Sequence, residues 1–468
     1  MRNRLILLGI TASIWAMLKL VDSLVTGPEL LFLLYVALAL MITHSVWLFS
    51  AQSEWHKKAR HYVRRRVSRA VKKVLNTSAS LAAARIAGDS LAGDTGESDE
   101  AWHPWVDIFV AAKNEGRVIG NTVATLFNLD YDRFYVWVID DGSTDDMPEV
   151  LAALTTRYDR LRVVRREPGS VPGKSAALND ALPLSKGDVI AVFDADAYVE
   201  PDFLNQILPH LQDERVGAVQ AQKRIYLHQK GFLVGCQASE YSLDTYFQVG
   251  RDLIGGAVEL RGNGELIKRA ALIDVGGWNN RTLTDDLDLS MRLLVSNWDI
   301  KFCPDAHVFE EGVTNIKALW RQRRRWAEGS IRRYLDYIFP LNSPTRLSLV
   351  ERIDTLVFTV YFVVPALILM ELTSDVLRFF DGGPTYGSFL ALSVLAVLWV
   401  SQLNLFIATR LYRKLGVWEA LVDSILVTAY IYLHWVPCIV ISFGQILFGK
   451  QASTWHRTEH IGQTTSNV

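Results

Sequence analysis

The chain has few cysteines and no excess of charge of either sign. Its three cysteines, Cys236, Cys303 and Cys438, lie far apart and form no CxxC pair. The sequence therefore predicts neither a disulfide framework nor a zinc site built from paired cysteines. The 49 basic and 50 acidic side chains balance each other, which gives the chain no overall attraction for a polyanion. A nucleic-acid-binding function is disfavoured.

A P-loop is also lacking. The segment "PGKSAALN", which begins at Pro172, has a glycine and a lysine before a predicted helix, but not the GxxxxGK[ST] spacing. A P-loop NTPase is therefore disfavoured. Lys174 can still pair with a phosphate at this junction between loop and helix.

Apolar residues make up 50% of the chain and are concentrated at its two ends. The runs Leu5–Val21 and Leu30–Ser50, separated by "DSLVTGPE", predict a transmembrane helical hairpin over residues 1–50. A cleaved signal peptide is the alternative for the first run, and the second run disfavours it. Basic residues before and after the hairpin predict that both of its ends are cytoplasmic.

Residues 51–103 predict a surface helix and a linker. In "HKKARHYVRRRVSRAVKKVL" the apolar residues share one helical face and basic residues fill the others. This pattern predicts a helix on an anionic membrane surface, with a plain connecting helix as the alternative. The Gly-, Ser- and acid-rich "GDSLAGDTGESDEAW" is typical of a flexible linker.

The C-terminal region, residues 346–448, predicts further membrane spans. Leu356–Leu372 and Phe389–Thr409 are long enough to cross a bilayer. The run Trp418–Phe448 is too long for one upright span and too short for two. The sequence therefore leaves the number of C-terminal membrane crossings undetermined by one. The tail, residues 449–468, is predicted to be cytoplasmic and near the active site, because Trp455, His456 and Arg457 would suit a gate facing a diphosphate.

Between these regions, residues 104–345 predict an α/β domain on the cytoplasmic side. Short strand-like runs such as "VDIFVAAKN", "FYVWVIDDGS" and "DVIAVFDADA" alternate with helical segments. This alternation is typical of a mostly parallel sheet with helices on both faces. In such sheets the ligand lies at the carboxyl ends of the strands.

Carboxylates follow two of these strands. Asp140 and Asp141 end one strand in "VIDDGSTDD", although a plain Asp-Gly turn is the alternative there. Asp194 and Asp196 end another strand in "AVFDADAYV". Two such carboxylates can hold a hard divalent cation that bridges a diphosphate.

Two predicted helices carry further candidates. "TLTDDLDLSMRLL" places Asp286 in the first turn of a helix, where it could be a general base or simply part of an acidic N-terminus. In "LWRQRRRWAEGS", Gln322, Arg325 and Trp326 share one helical face. An arginine there suits a diphosphate and a tryptophan suits a sugar ring or an acyl chain. An interfacial anchor is the alternative.

In order and approximate spacing, "VIDDGSTD", "FDADA", "TDDLDL" and "QRRRW" resemble the motifs of the family 2 glycosyltransferases. The resemblance covers about Val106 to Tyr337. It implies an inverting enzyme of GT-A fold from the membrane-embedded branch that includes the cellulose, hyaluronan, chitin and poly-N-acetylglucosamine synthases. It also implies a UDP-sugar donor and Mg²⁺ or Mn²⁺.

By motif, the resemblance assigns roles to individual residues. Asp286 would be the general base, and Asp194 and Asp196 would serve the nucleotide sugar and its cation. The residues implied to hold the nucleotide sugar are Glu115, Asp140, Asp141, Lys174, Asp194, Gln322 and Arg325; those implied at the acceptor are Gly262 and Asn263 of "GNGELIKR", Asp285 and Trp326.

Local departures from the polymer synthases resemble a smaller branch. The first strand reads "VAAKNEG" where those enzymes have a proline and an aromatic residue, and the motif usually written TED is "TDD". With "PGKSAALN", "VFEEGV" and "RRRWAEGSIRRYLDY", these variants resemble the cyanobacterial β-monoglucosyldiacylglycerol synthases. That branch implies transfer of glucose from UDP-glucose to diacylglycerol.

Two other functions are alternatives to this one. A processive β-glycan synthase would need a polar, aromatic-lined channel, which Trp399, Tyr430, Tyr432 and Trp435 could line. A catalytically inactive scaffold or glycan-binding protein is disfavoured, because all the acidic motifs are intact.

Overall fold

The computed structural model describes residues 30–55, 102–167, 169–226, 230–341, 347–380 and 382–449. The predicted span Leu5–Val21, the predicted surface helix with most of its linker, and the predicted gate around His456 lie outside the described residues. Eight strands of the described residues form the sheet: β1 (Val106–Ala112), β2 (Phe134–Asp140), β3 (Leu161–Arg165), β4 (Val189–Phe193), β5 (Tyr198–Val199), β6 (Val216–Ile225), β7 (Glu265–Lys268) and β8 (Asp299–Glu310).

The order of strands across the sheet is β3-β2-β1-β4-β7-β6-β8-β5. The pairs β1–β2, β1–β4, β2–β3 and β6–β8 are parallel, and the pairs that involve β7 or β5 are antiparallel. The prediction of a mostly parallel, mixed sheet is therefore confirmed. The parallel arrangement brings the carboxyl ends of β1, β2 and β4 to one edge, where the predicted acidic residues lie.

Helices cover both faces of the sheet and join it to the apolar segments. Those of the α/β domain are α2 (Gly116–Leu126), α3 (Met147–Arg157), α4 (Lys174–Ala181), α5 (Phe203–Ile207), α6 (Phe232–Leu253), α7 (Arg269–Asp274), α8 (Asp285–Val295) and α9 (Ile316–Leu341). In the described part of the chain, four long apolar helices accompany them: α1 (Leu30–Trp55), α10 (Leu349–Phe380), α11 (Gly387–Tyr412) and α12 (Val417–Phe448).

The central strand β1 shows how the domain core forms. Its side chains alternate between the two faces of the sheet. Ile108 packs with Ile119 of α2 in one core cluster, and Phe109 packs with Leu178 of α4 in the other. All four side chains are inaccessible to solvent. Because both faces of β1 are buried, the strand is apolar throughout except at Asp107.

Buried ion pairs attach the apolar helices to the α/β domain. Arg251 of α6 is fully buried, and its Nε donates to Oδ2 of Asp354 in α10 at 2.8 Å. The other carboxylate oxygen, Asp354 Oδ1, lies 2.9 Å from Nε2 of His44 in α1. Close by, Gln52 of α1 donates to the carbonyl oxygen of Tyr246 at 2.9 Å. The domain and these helices therefore share one buried polar junction.

Within the described residues, α1, α10, α11 and α12 are each long and apolar enough to cross a membrane. The run from Trp418 to Phe448, whose topology the sequence left open, is a single helix of 32 residues with Pro437 in its interior. At about 1.5 Å per residue, α12 is about 48 Å long. It exceeds the length that one upright span needs.

Helix α12 packs along the α/β domain over most of its length. Near its start, Asp423 accepts a hydrogen bond from Ser239 of α6 at 2.7 Å. In its middle, Trp435 Nε1 donates to Glu240 of α6 at 2.6 Å. Near its end, Ile446 packs in one cluster with Ile331 of α9. Its course therefore differs from that of α10, which meets the domain at one end only.

Candidate active site

One cavity of about 550 Å³ lies at the carboxyl ends of β1, β2 and β4. It gathers residues that are up to 328 positions apart in the chain, from Ala111 to Ile439 (439 − 111). Asp140 and Asn263 lie behind its wall rather than on it. The predicted site residues that line the cavity are Glu115, Asp141, Lys174, Asp194, Asp196, Gly262, Asp285, Asp286, Gln322, Arg325 and Trp326.

Asp141 holds the loop that presents Lys174. Its Oδ2 accepts the N–H of Gly173 at 3.1 Å, and its Oδ1 pairs with the buried guanidinium of Arg166. Gly173 has a φ of +116°, a conformation that glycine adopts readily. The glycine in "PGKSAALN" therefore permits the turn that points Lys174 into the cavity.

The ammonium group of Lys174 joins two sides of the site. Its Nζ donates to Asp194 Oδ1 at 2.5 Å and to the carbonyl oxygen of Gly262 at 2.6 Å. Burial acts to lower the pKa of Lys174, but the charges of Asp194 and Asp285 raise it above its usual value. Lys174 therefore stays a cation, as the prediction of a phosphate-binding residue requires.

Asp140 and Asn263 hold the loops behind the cavity wall. Asp140 Oδ1 accepts the N–H of Ser143 at 2.7 Å and so closes the turn after β2. Asn263 Oδ1 accepts the N–H of Asp194 at 3.2 Å, and its amide donates to Glu310 Oε2 at 3.0 Å. These contacts position neighbours that do face the cavity, and the direct binding roles of both residues stay predictions.

Asp194 and Asp196 form the candidate cation site. The Asp194 side chain is 40% exposed, whereas Asp196 is 5% exposed and its Oδ2 accepts the N–H of Glu311 at 2.9 Å. Within the described residues, no group of three or more His, Cys, Asp or Glu side chains is arranged to hold a metal ion. A cation here would therefore need phosphate oxygens and water as its other ligands, and this is the set that Mg²⁺ ordinarily uses.

The "GNGE" segment brings the backbone close to Asp286. Gly264 has a φ of +70°, and a Cβ there would lie 2.5 Å from Val308 Cγ1. At Gly262 a Cβ would lie 3.2 Å from Asp286 Oδ2. Both glycines are therefore needed for close approach rather than for flexibility, since a side chain at either position would press on β8 or on the carboxylate.

Asp286, in the first turn of α8, has the properties expected of a general base. It is partly exposed to the cavity, and its Oδ1 accepts the N–H of Leu287 at 2.8 Å. Burial, together with the charge of Asp285, raises the pKa of Asp286 to about 6. A carboxylate with this pKa is ionised at neutral pH and is a stronger proton acceptor than an ordinary aspartate.

Sequence reasoning missed Glu265, the first residue of β7. It is 2% exposed, and its Oε2 accepts the N–H of Gly262 at 3.1 Å. Burial and the charge of Asp286 raise the pKa of Glu265 to about 8. Asp286 on the cavity wall and Glu265 behind it thus have pKa values that are pushed apart, an arrangement that is common at catalytic sites. The sequence signal that could have identified Glu265 is an acidic residue directly after a glycine turn.

The arginine-rich helix α9 divides its side chains between two environments. Gln322, Arg325 and Trp326 line the cavity, as the predicted helical face requires. Burial lowers the pKa of Arg325, and the charges of Asp285, Asp286 and Asp194 oppose this effect. Arg325 thus faces the acidic cluster, where a diphosphate would lie.

Arg323, by contrast, is buried in an ion pair with α6. Its Nε and Nη2 donate to the two carboxylate oxygens of Glu240 at 3.0 and 2.8 Å. The guanidinium also lies 4.2 Å from the ring centroid of Trp326 and is inaccessible to solvent. Trp435 of α12 donates to the same Glu240. The Arg323–Glu240 ion pair therefore links Trp326, which lies against Arg323, to α12. Arg323 therefore supports the site without facing it.

Two charged residues from the far half of the sheet were also missed. Lys223 of β6 and Glu310 of β8 line the cavity and pair at 2.9 Å. Lys223 lies 5.8 Å from the ring centroid of Trp326, and the hydroxyl of Tyr241 donates to Glu310. Both strands carry other polar residues as well, so the sequence offered no distinct signal for this pair.

Three of the apolar helices, α10, α11 and α12, form a further part of the cavity wall. Each contributes residues at helical spacing, so that one face of each helix points inwards. None of the side chains that they contribute is charged. The lining residues from α10, α11 and α12 are Phe358, Tyr361, Phe362, Pro365, Ser401, Asn404, Thr428, Ile431, Tyr432, Trp435, Val436 and Ile439.

Comparison with known proteins places the chain in a family. Residues 103–329 match the model of the family described as "Glycosyltransferase like family 2". The chain is 40% identical over 368 residues to a β-monoglucosyldiacylglycerol synthase of Trichormus variabilis, and the match covers 77% of each protein. It is also 26% identical over 365 residues to a poly-β-1,6-N-acetyl-D-glucosamine synthase of Staphylococcus epidermidis, covering 75% of this chain and 86% of that one.

A solved structure supports the fold. The chain resembles a mannosyltransferase from Pyrobaculum calidifontis in complex with GDP-Man and Mn²⁺, with a TM-score of 0.52 at 18% identity. The match covers 85% of this chain and 99% of that one. The predicted GT-A fold, with the sheet domain set between apolar helices, is confirmed. The chain is an enzyme that belongs to the family 2 glycosyltransferases.

Proposed function

We propose that the enzyme transfers glucose, with inversion, from UDP-glucose to diacylglycerol and so makes a monoglucosyl-diacylglycerol. One observation carries the proposal: a single cavity runs from Asp286 to uncharged walls contributed by α10, α11 and α12. Its polar end suits a nucleotide sugar and its apolar end suits acyl chains. The relatives named β-monoglucosyldiacylglycerol synthase support the same sugar and acceptor.

The donor would lie at the polar end. Lys174 and Arg325 both lie close to carboxylates of the acidic cluster, and their charges would offset that of the diphosphate. Glu115 and Asp141 line the adjoining wall, where the nucleoside would lie. Gln322, one turn before Trp326 on the same helical face, would add a neutral donor to the diphosphate.

Asp194 and Asp196 fit a divalent cation, with the donor's phosphates as further ligands. Both are hard oxygen donors on the cavity wall, a chemistry that suits Mg²⁺ or Mn²⁺. When bound, the cation would neutralise negative charge that develops on the leaving diphosphate. Lys174, which already contacts Asp194, would act on the same side of the donor.

The chemical step follows from the position of Asp286. Its carboxylate takes the proton of the acceptor's hydroxyl group, and the hydroxyl oxygen forms a bond to the anomeric carbon. The bond from that carbon to the diphosphate oxygen breaks, and UDP leaves with the electron pair. Attack from the face opposite the leaving group inverts the anomeric centre. Arg325 and Lys174 stabilise the charge that develops on the diphosphate.

A processive β-glycan synthase is the alternative. Two of the four aromatic residues predicted for a glycan channel, Tyr432 and Trp435, do line the cavity. Trp399 is 70% exposed on the outside of α11, and Tyr430 is not among the lining residues. The apolar lining residues of α10 and α12 favour the lipid acceptor, because they would contact acyl chains; they are Phe358, Phe362, Pro365, Ile431, Val436 and Ile439.

We infer that α1, α10 and α11 cross the bilayer and that α12 lies along its cytoplasmic face. The contacts of α12 with α6 and α9, from Asp423 to Ile446, support this course. The catalytic domain and the tail would then both be cytoplasmic. An epitope tag placed after Val468 should be digested by protease added to the cytoplasmic face of membranes. A protected tag would contradict this topology.

The test of the proposed function is transfer of radiolabelled glucose from UDP-glucose by purified enzyme in liposomes that contain diacylglycerol. We expect one labelled, chloroform-soluble product, which is lost in the Asp286→Asn variant. Binding of UDP to that variant should persist, because the substitution keeps the size of the side chain. Label in water-insoluble or high-molecular-weight material would instead identify a polymer synthase.

A further inference from the structure

Helix α9 carries two further polar side chains on the cavity wall, one and two turns beyond Trp326. They are Ser330 and Arg333, which continue the helical face of Gln322 and Arg325. We call these two residues the α9 pair. Ser330 is 7% exposed and Arg333 is 4% exposed. Hydroxyl and guanidinium groups are costly to bury without hydrogen-bond partners, so their contacts indicate what they do.

Arg333 donates no hydrogen bond to any described residue. Its Nη1 lies 3.1 Å from Glu259 Oε1, an ion pair without the alignment of a hydrogen bond, and its guanidinium lies 4.2 Å from the ring centroid of Tyr334. Nε and Nη1 are inaccessible and have no hydrogen-bond partner in the described part of the chain. Nη2 is not among the inaccessible atoms, so it is the nitrogen through which Arg333 reaches the cavity. Its N–H groups can donate to a molecule there.

Ser330 presents a hydroxyl group beside this guanidinium. A serine within a helix commonly donates to the carbonyl oxygen four residues earlier, as Ser290 does to Asp286 at 2.8 Å. Ser330 Oγ makes no hydrogen bond with a described residue, and it is not an inaccessible atom. Because Ser330 and Arg333 are three residues apart on one helical face, one group of a bound molecule can contact both.

The charges around Arg333 balance without a ligand. Among the described residues, its ion-pair network has three guanidinium groups and three carboxylates, besides the imidazole of His44. The charged members are Arg251, Arg261, Arg333, Asp244, Glu259 and Asp354. A phosphate would add a negative charge to this neutral network and would be repelled by Asp286 on the same cavity wall. A neutral oxygen that accepts hydrogen bonds suits the α9 pair better.

We propose that Ser330 and Arg333 bind an ester carbonyl oxygen of the acceptor lipid. This inference rests on the proposed function and names residues that select its acceptor. A carbonyl oxygen is uncharged and has two lone pairs, so it can accept a hydrogen bond from the guanidinium and another from the hydroxyl group. Bound in this way, the ester would hold the glycerol backbone in a fixed position relative to the catalytic base.

The position of the α9 pair fits an ester next to the reacting hydroxyl group. A Cβ at Gly329 would lie 2.5 Å from Thr284 Cγ2, so α9 packs directly against the residue two positions before Asp286. Farther along α9, the ring centroid of Tyr334 lies 5.7 Å from that of Phe362, a lining residue of α10. The pair therefore lies between the catalytic base and the apolar wall. In a diacylglycerol the ester groups likewise lie between the free hydroxyl group and the acyl chains.

The test compares two acceptors in liposomes that differ only in the ester groups: a diacylglycerol, and a dialkylglycerol with ether-linked chains of the same length. For the wild-type enzyme we expect kcat/KM to be about ten- to a hundredfold higher with the diester, the range given by a hydrogen bond to a charged group. Arg333→Met should lower kcat/KM for the diester by a similar factor and leave the value for the diether unchanged. Arg332→Met is the matched control, since Arg332 pairs with Glu328 at 2.7 Å and is not on the cavity wall.

Ser330→Ala tests the same site with a smaller change to the protein. It should lower kcat/KM for the diester by about three- to tenfold, the range given by one neutral hydrogen bond, and leave the diether unchanged. Because Ser330 Oγ has no partner among the described residues, the variant should keep the Tm of the lipid-free enzyme. The Tm increase on adding diester lipid should be smaller. KM for UDP-glucose should be unchanged in both variants, because the pair contacts the acceptor only.

Three results would overturn the inference. Equal use of diester and diether by the wild-type enzyme would show that no ester is recognised. An equal loss with both acceptors in Arg333→Met and Ser330→Ala would assign the α9 pair to packing, and a raised KM for UDP-glucose would assign it to the donor. All three leave diacylglycerol as the acceptor, so the proposed function would survive. Failure of the wild-type enzyme to glucosylate diacylglycerol at all would overturn the proposed function itself, and the ester site with it.

Discussion

The pH dependence of kcat/KM should report the two catalytic-site carboxyl groups separately. Asp286, with a pKa of about 6, must be ionised to accept a proton. Below pH 6 we expect kcat/KM to fall about tenfold per pH unit, so that about a tenth of the activity remains at pH 5. Glu265, with a pKa of about 8, should ionise on the alkaline side. Its second negative charge would weaken binding of the anionic donor, and the profile should be bell-shaped.

Two variants assign the two limbs of this profile. Glu265→Gln keeps an oxygen that can accept the N–H of Gly262 but cannot ionise, so the alkaline limb near pH 8 should disappear while the acid limb stays. Asp285→Asn removes a charge that raises the pKa of Asp286, so the acid limb should move to lower pH. Lys174 and Arg261 also act on Asp286, in the opposite direction, and both are unchanged in these variants.

The assay is initial-rate glucose transfer at pH values from about 4.5 to about 9, a range that covers both limbs of the profile. Donor concentrations are kept below KM, so that the rates give kcat/KM and report the ionisation of the free enzyme. Tryptophan fluorescence at each pH excludes unfolding as the cause of a limb. An alkaline limb that persists in Glu265→Gln would refute the assignment to Glu265. An acid limb that does not move in Asp285→Asn would refute the origin of the raised pKa of Asp286.

Three further predictions concern stability and binding. Arg323→Met removes the only cation paired with the largely buried Glu240 among the described residues and should cost about 3–5 kcal/mol of unfolding free energy, measured by denaturant titration. Arg324→Met, on the exposed side of the same helix, should cost little. Gly264→Ala places a Cβ 2.5 Å from Val308 Cγ1 at a φ of +70° and should lower the free energy of unfolding by about 2–4 kcal/mol. The control Gly444→Ala has open space around the new Cβ and should not lower the Tm. UDP should raise the Tm only with Mg²⁺ or Mn²⁺ present, and Asp194→Asn should remove this effect; full protection in EDTA would contradict a cation at this site.

Much of the site could be predicted from the sequence because its residues belong to short local patterns. Asp141 and Asp194 directly follow strands that are apolar enough to be recognised, and parallel strands bring their carboxyl ends together. Gln322, Arg325 and Trp326 follow helical spacing, and the structure places all three on one cavity. In such patterns the periodicity of the backbone alone decides which side chains share a face.

Contacts between distant segments could not be predicted in this way. Lys223 and Glu310 meet because β6 and β8 are neighbours in the sheet, although 86 residues separate the two (310 − 223 − 1). Arg323 and Arg325 are two residues apart in one basic run. Only the position of Glu240 on α6 decides that the first is buried and the second faces the cavity.

The sequence by itself determined the family, the α/β class with its apolar flanks, and the chemical types at the catalytic centre. These properties follow from local order and periodicity, which are written in consecutive residues. The tertiary structure alone decided the course of α12, the raised pKa of Glu265 and the pairing of Lys223 with Glu310. Burial, charge proximity and hydrogen-bond partnership depend on which segments pack together, and that packing is a property of the whole fold.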